Sequence, residues 1–173
     1  MADIKLYFPK VLKYEGGFAN DPNDHGGATN IGVTLSTFQS VGYDNNHDGH
    51  IDIEDLKLLT TDEAMAICKK GYWDSWKADF INNQSIAETL VEWIWGSGRW
   101  GIIIPQRLLG VPDDGLVGQH TLDAINGANQ KWLHEKIRLA KLDFIANLIK
   151  THPDQEKFRD GWIRRINEYV FID

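Results

Sequence analysis

The chain has 173 residues, 42% hydrophobic and 25% charged, which is typical of one compact domain or two small lobes around a shared core. Its net charge is −7 and it has no Lys/Arg run, which argues against nucleic acid and anionic membranes as partners. With a single cysteine, Cys68, neither a disulfide framework nor a cysteine-rich zinc site can form. No run of about 18 apolar residues occurs, so we expect no membrane insertion.

The first predicted element is a helix over residues 4–14, which ends at Gly16-Gly17. Pro9 favours a start later than Ile4, because proline is best accommodated in the first turn of a helix. The N-terminus also lacks the apolar stretch of a secretory signal peptide. We therefore expect synthesis in the cytoplasm, with any action outside the cell depending on another release route.

Residues 18–34 are rich in Asn, Asp, Gly and Pro and predict a loop with a small β-hairpin near residues 30–34. Ser85 and Glu88 match a capping box, and the helix that they open is apolar on nearly every side, which predicts a buried central helix. The pattern as a whole predicts an all-α fold. Further helices are predicted over 35–41, 60–70, 105–109 and 119–126, followed by two long amphipathic helices with apolar stripes over 133–148 and 158–169.

Glu15 stands at the end of the first predicted helix, directly before two glycines. It follows Phe8 and Val11 at helical spacing, so its side chain shares their inward face. The negative end of the helix dipole and partial burial both disfavour a charged carboxylate there, as suits a general acid. From the residues alone, a solvated glutamate at a helix end remains the alternative.

The segment 14–34, YEGGFANDPNDHGGATNIGVT, closely resembles the signature of glycoside hydrolase family 108. That family contains phage-type N-acetylmuramidases and secretion activator proteins, and its pattern is approximately EGG-aromatic-x-NDP-x-D-x-GG-x-TN-x-GIT. The resemblance implies a lysozyme-like fold in which Glu15 is the catalytic acid.

The spacing also resembles the active site of another phage-type lysozyme family, which runs Glu, eight residues, Asp, five residues, Thr. Here eight residues separate Glu15 from Asp24, and five more lead to Asn30, with Thr29 beside it. The resemblance leaves the water-positioning role open among Asp24, Thr29 and Asn30. The predicted catalytic set is Glu15, Asp24 and Thr29, and the predicted substrate-binding set is Asn20, Asp21, Asn30, Thr34, Tyr72 and Trp73.

A second motif lies in residues 105–125, PQRLLGVPDDGLVGQHTLDAI, and it resembles a peptidoglycan-binding pattern, LQ-x-x-LG-x-x-x-DG-x-x-G-x-x-T-x-x-A-I. Pro105 replaces the usual leucine. The alternative is that these residues only build a helix–turn–helix, because turn and capping preferences explain most of them. The matching residues are Gln106, Leu109, Gly110, Asp114, Gly115, Gly118, Thr121 and Ala124.

Residues 44–55, DNNHDGHIDIED, match a twelve-residue EF-hand-like calcium loop inserted between two helices. Gly49 falls at the sharp turn, and Asp55 stands where a longer glutamate is usual. An Asx-rich surface turn is the alternative. We expect a structural Ca²⁺ ion and no cofactor for catalysis; the predicted ligands are Asp44, Asn46, Asp48, His50, Asp52 and Asp55.

These features together predict an endolysin-type or prophage lysozyme, an N-acetylmuramidase that hydrolyses the β-1,4 bond between N-acetylmuramic acid and N-acetylglucosamine. Residues 1–98 would form the catalytic half and 99–173 a peptidoglycan-binding-like half packed on the same core. A lytic transglycosylase, a non-catalytic peptidoglycan-binding or secretion accessory protein, and a calcium-responsive interaction protein are the alternatives. We expect a monomer that reaches the cell wall or periplasm after release, with peptidoglycan as its partner and a holin as the export route.

Overall fold

A computed structural model describes residues 1–20 and 28–173, and α-helices make up most of it. The predicted all-α, lysozyme-like class with a small hairpin is confirmed. Of the described helices, none is long and apolar enough to cross a membrane. The α-helices are α1 (Ile4–Tyr14), α2 (Leu35–Val41), α3 (Ile53–Lys57), α4 (Thr61–Cys68), α5 (Gln84–Ser97), α6 (Trp100–Leu109), α7 (Gln119–Gly127), α8 (Gln130–Thr151) and α9 (Arg159–Glu168). Shorter elements are strands β1 (Thr29–Asn30) and β2 (Val33–Thr34), a π-helix (Lys69–Trp73) and 3-10 helices at Asp74–Trp76, Ala78–Phe80 and Pro153–Phe158.

The chain forms two compact units. The first is Ile4–Gly71, and the second combines Met1–Asp3 with Tyr72–Asp173. The division into halves at residues 98 and 99 rests on sequence motifs, whereas these units are defined by packing. That division stays a prediction.

Helix α1 of the first unit starts at Ile4 with Pro9 inside it, so the later start predicted from Pro9 is wrong. Proline removes one backbone hydrogen bond, here the bond to the carbonyl of Lys5. Both Lys5 and Pro9 are exposed, so water can solvate that carbonyl. The opposite face of α1 packs inward and carries the buried residues Ile4, Tyr7, Phe8 and Val11.

The predicted hairpin is confirmed, and its turn has an unusual backbone. Strands β1 and β2 pair antiparallel, and the two turn residues, Ile31 and Gly32, have φ values of 49° and 72°. Positive φ at both positions is the signature of a type I′ turn. Isoleucine is β-branched and seldom adopts this conformation, so the turn is strained, and such strain is concentrated at functional sites.

Helix α5, in the second unit, is buried along most of its length, from Ser85 to Ile94, so the predicted burial of this helix is confirmed. Its N-cap is Asn83, whose side chain accepts the Ile86 N–H at 3.1 Å, so the predicted capping box of Ser85 and Glu88 is wrong. The Ser85 hydroxyl instead accepts the N–H of Ile172 at 3.0 Å. Helix α6 starts at Trp100, five residues before the predicted start.

Gly101 sets the close approach of α6 to α5. A Cβ atom at Gly101 would lie 2.7 Å from the Ile94 nitrogen and 2.8 Å from the Trp93 carbonyl carbon. Because these are backbone atoms, they cannot move aside as a side chain can. We expect Gly101→Ala to lower the free energy of unfolding by about 1–3 kcal/mol, as overpacking does.

Urea unfolding of Gly101→Ala beside Gly96→Ala measures this effect. Gly96 lies in α5, and a Cβ there meets no atom of the described residues within 4 Å. The control should raise stability by about 0.5–1 kcal/mol through helix propensity. Equal stability of the two variants would contradict the close packing at Gly101.

Candidate active site

Glu15 lies directly after the last residue of α1 and is half-buried. Its backbone N–H donates to the Val11 carbonyl at 3.0 Å, so the helical hydrogen bonding continues up to this residue. Gly16 and Gly17 follow on the surface, and Cβ atoms at either position would meet none of the residues 1–20 and 28–173 within 4 Å. The carboxylate therefore stands at the end of a regular helix.

The hairpin turn lies against the Glu15 side chain. A Cβ atom at Gly32 would lie 2.7 Å from Glu15 Cγ and 2.8 Å from Glu15 Oε2. Only glycine allows the backbone to come this close, and it also tolerates the positive φ of the turn. Gly32 was not among the predicted site residues, although a glycine in a two-residue hairpin loop was visible in the sequence.

Cys68, in α4, is buried and feels the charge of Glu15. Burial raises the pKa of the Cys68 thiol to about 12, and the charge of Glu15 adds to the effect. The thiol is therefore protonated at neutral pH and is not a nucleophile. Cys68 is therefore a small, buried and neutral side chain.

Three predicted site residues lie on this hairpin. Asn30 is buried, and its amide donates to the Leu56 carbonyl at 2.8 Å, which ties β1 to α3. Thr34 is the N-cap of α2. Thr29 is half-buried and pairs with Ala19 through two backbone hydrogen bonds of 2.8 Å. These contacts fix the hairpin that covers Glu15.

The remaining predicted site residues are placed differently. Asn20 is exposed beside Ala19, whereas Asp21 and Asp24 lie outside the described residues. Tyr72 and Trp73 belong to the second unit. Tyr72 stacks against Trp95 with ring centroids 4.4 Å apart and is half-exposed. Trp73 is fully buried and its Nε1 donates to Asp79 at 2.6 Å, so only Tyr72 of this pair offers surface to a ligand.

Comparisons with known proteins show the family of the chain. The family model described as Glycosyl hydrolase 108 matches residues 8–98, more than half of the chain, and the matched region contains Glu15, Gly32 and Cys68. The chain belongs to glycosyl hydrolase family 108. A second model, described as a Predicted Peptidoglycan domain, matches residues 100–167.

A solved structure is similar to this protein over nearly the whole chain. The structure of SagA from Brucella abortus has a TM-score of 0.78 and 26% sequence identity, and the match covers 96% of this chain and 90% of that one. A search of curated protein sequences found no match. The two family matches together identify a glycosidase that acts on peptidoglycan.

In this family 108 member, the motif predicted to bind peptidoglycan is stabilised by hydrogen bonds among its own residues. The buried Gln106 amide nitrogen donates to the Leu116 carbonyl at 3.0 Å, and its oxygen accepts the Gly115 N–H at 2.9 Å. Asp114 Oδ1 accepts the Leu116 N–H at 2.9 Å. These bonds shape the turn between α6 and α7, so the motif residues build the helix–turn–helix whatever else they contact.

The EF-hand-like loop is stabilised by hydrogen bonds from its backbone N–H groups to its own carboxylates. The Asp44 carboxylate accepts the N–H groups of Asp48 at 3.2 Å and Gly49 at 3.0 Å. Backbone N–H groups, that of Asp52 first and then that of Asn46, hold the pKa of the buried Asp55 carboxyl below its ordinary value. Across residues 1–20 and 28–173, no three His, Cys, Asp or Glu side chains converge as a metal site.

Proposed function

We propose that this glycosidase is a lysozyme that hydrolyses the β-1,4 bond between N-acetylmuramic acid and N-acetylglucosamine, with Glu15 as the general acid. The observation that carries the proposal is the position of the Glu15 carboxylate, half-buried at the end of α1 and covered by the Ile31–Gly32 turn. A fixed, partly exposed carboxyl group is what protonation of a glycosidic oxygen requires.

The chemistry assigned to Glu15 follows from this placement. Its proton passes to the leaving oxygen while positive charge develops on the sugar in an oxocarbenium-like transition state. After it has lost its proton, the Glu15 carboxylate stabilises the positive charge on the sugar. Partial burial strengthens this electrostatic attraction. Gly32 lies against the Glu15 side chain, and the charge of Glu15 acts on the buried Cys68 thiol. Asp24 and Thr29 remain the groups proposed to position water or to stabilise the developing charge.

Mass spectrometry of digested peptidoglycan tests the reaction. We expect fragments with reducing N-acetylmuramic acid ends, because water supplies the new hydroxyl. Anhydro ends would identify a transglycosylase, reducing N-acetylglucosamine ends would identify cleavage of the other β-1,4 bond, and intact polymer would leave only a binding role. Each of those three results contradicts the proposal.

We also propose that Ca²⁺ binds the 44–55 loop and stiffens the connection between α2 and α3. The side chains of Asp44, Asn46 and Asp48 offer the oxygen ligands that calcium prefers, and they belong to one tight loop. Several of these oxygens accept backbone N–H groups, so binding requires the carboxylates to exchange some of those bonds for the ion. The role is structural, and no step of the reaction passes through the metal.

Calcium should therefore raise the melting temperature without changing glycan cleavage. An ion that binds only the folded state stabilises it by about 2.7 kcal/mol at a hundredfold excess over Kd. Melting curves in calcium and in EGTA measure the shift, and the Asp44→Ala/Asp48→Ala double variant is the control, which should show none. Equal melting temperatures for the wild type under both conditions would rule out a site of useful affinity.

A further inference from the structure

The turn that covers Glu15 has a backbone conformation that its sequence favours at one position but not at the other. A type I′ turn prefers Asn, Asp or Gly followed by Gly, because both central residues need positive φ. Gly32 meets this preference, whereas Ile31, with φ 49°, does not. A strained residue of this kind persists when the surrounding structure holds it in place. Ile31 therefore needs a restraint from outside the turn.

The hairpin by itself supplies a weak restraint. Its strands have two residues each, and a two-stranded hairpin is only marginally stable in isolation. The Leu35 N–H donates to the Ala28 carbonyl at 2.9 Å, which closes the end of the hairpin opposite the turn. The side chain of Asn30 acts closer to the strain, because Asn30 directly precedes Ile31 in the chain.

Asn30 joins the hairpin to α3 through its side-chain amide. The residue is 7% exposed, and its amide nitrogen donates to the Leu56 carbonyl at 2.8 Å and to the Lys57 carbonyl at 3.5 Å. Both carbonyls belong to the end of α3, where backbone carbonyls lack partners within the helix. The amide is thus directed to the backbone of α3, and so little of Asn30 is exposed that it offers a glycan almost no surface.

Helix α3 is a firm support for this contact. Its Leu56 side chain is fully buried. At the start of the helix, Asp52 accepts the Glu54 N–H at 2.8 Å and Asp55 accepts the Asp52 N–H at 3.0 Å, which forms a capping box. The hydrogen bonds of Asn30 therefore tie the turn to a helix that is itself held by the core and by its cap.

We propose that Asn30 is a positioning residue, which fastens the strained turn to α3 and thereby keeps the Glu15 carboxyl in place. The link to the acid is Gly32, whose backbone lies so close that a Cβ atom there would be 2.7 Å from Glu15 Cγ. Without the amide of Asn30, Ile31 relaxes, the turn shifts and the carboxyl loses its support. The inference rests on the proposed role of Glu15, and it gives Asn30 a different role from the substrate binding predicted from the sequence.

Steady-state kinetics of Asn30→Ala on purified peptidoglycan tests the role. We expect kcat to fall by about tenfold or more with little change in KM, because a displaced acid affects the transition state more than binding. Asn30→Gln, which keeps the amide but moves it by one methylene group, is a milder second variant with the same expected direction. A rise in KM with kcat unchanged would assign Asn30 to substrate binding and overturn the inference.

Gln39→Ala is the matched control. The Gln39 amide also donates to a backbone carbonyl of the same unit, that of Ile51, at 2.9 Å. Gln39 lies in α2 and is exposed, so its loss should leave kcat within about twofold. Melting curves establish that each variant is folded at the assay temperature. An equal fall in kcat for Gln39→Ala and Asn30→Ala would show a general loss of structure and overturn the inference.

Relief of the strain at Ile31 separates positioning from a purely structural role. Ile31→Asn creates the Asn-Gly pair that a type I′ turn prefers, so the turn needs less restraint. We expect Asn30→Ala to lower kcat at least about threefold less in the Ile31→Asn background than in the wild type. The same fold-loss in both backgrounds would overturn the inference, because a side chain that binds substrate or only fills space gains nothing from a relaxed turn.

The Glu15→Gln background separates this inference from the proposed function. If Asn30 acts through the acid, Asn30→Ala should lower the residual rate of Glu15→Gln by less than about twofold. Normal activity of Glu15→Gln would reject the general acid and the inference that depends on it. An inactive Glu15→Gln beside a fully active Asn30→Ala would reject the positioning role alone.

Discussion

Replacing Glu15 with glutamine is expected to lower glycan cleavage by at least about 100-fold, because glutamine keeps the shape of the side chain but has no proton to donate. Binding of the glycan should change much less than turnover, since the acid acts in the transition state. Steady-state kinetics on purified peptidoglycan would measure the loss, and circular dichroism would establish that the variant is folded.

Glu54→Gln is the matched control for this experiment. Glu54 lies in the same unit, is exposed, and pairs with Lys57 on the surface of α3, so its loss should leave activity within about twofold. If Glu15→Gln retained near-normal cleavage, the assignment of the general acid would be wrong. If both variants lost activity equally, the effect would reflect net charge rather than proton donation.

Gly32→Ala should cost about 100-fold in turnover through displacement of the Glu15 carboxyl. A Cβ atom at Gly32 cannot coexist with Glu15 Cγ at 2.7 Å, so either the side chain or the turn must move. A displacement of about 1 Å in a reacting group can cost that much rate. Gly32 is a positioning residue, and the loss should fall on kcat more than on KM.

Gly42→Ala separates this steric effect from backbone strain. Gly42 ends α2 with φ 89°, and a Cβ there meets nothing within 4 Å. Both variants carry the left-handed backbone cost of about 1–2 kcal/mol, but only Gly32→Ala contacts Glu15. We therefore expect similar losses in melting temperature and a loss of activity in Gly32→Ala alone. Equal activities would show that the turn does not position the acid.

The features that the sequence predicted well are those set by neighbouring residues. Helix α2 has the predicted bounds because Thr34 caps its start and Gly42 ends it in the left-handed conformation. The hairpin was predicted from a loop composition that favours tight turns. The error at α5 arose because Asn83 and Ser85 are both good caps, and only the bond of Asn83 to Ile86 shows which one is used.

The features that the sequence could not predict depend on residues far apart in the chain. Glu92 lies 49 residues from Lys141, and no local pattern indicates that they meet. Helix α5 was therefore predicted as an apolar core helix, although Glu88 and Glu92 are also buried in it. In the same way, the approach of Gly32 to Glu15 results from the folding of the hairpin onto α1. The motif indicated Glu15 as the candidate acid, and the structure shows that Gly32 lies against its side chain.

Leaving-group dependence tests the role of Glu15 most directly. The 2,4-dinitrophenyl β-glycoside of the N-acetylglucosamine–N-acetylmuramic acid disaccharide releases a phenolate that needs no proton. We predict that Glu15→Gln loses at least about 100-fold on the natural glycan but retains most of the wild-type rate of departure of dinitrophenol. An equal loss on both substrates would contradict general-acid catalysis by Glu15.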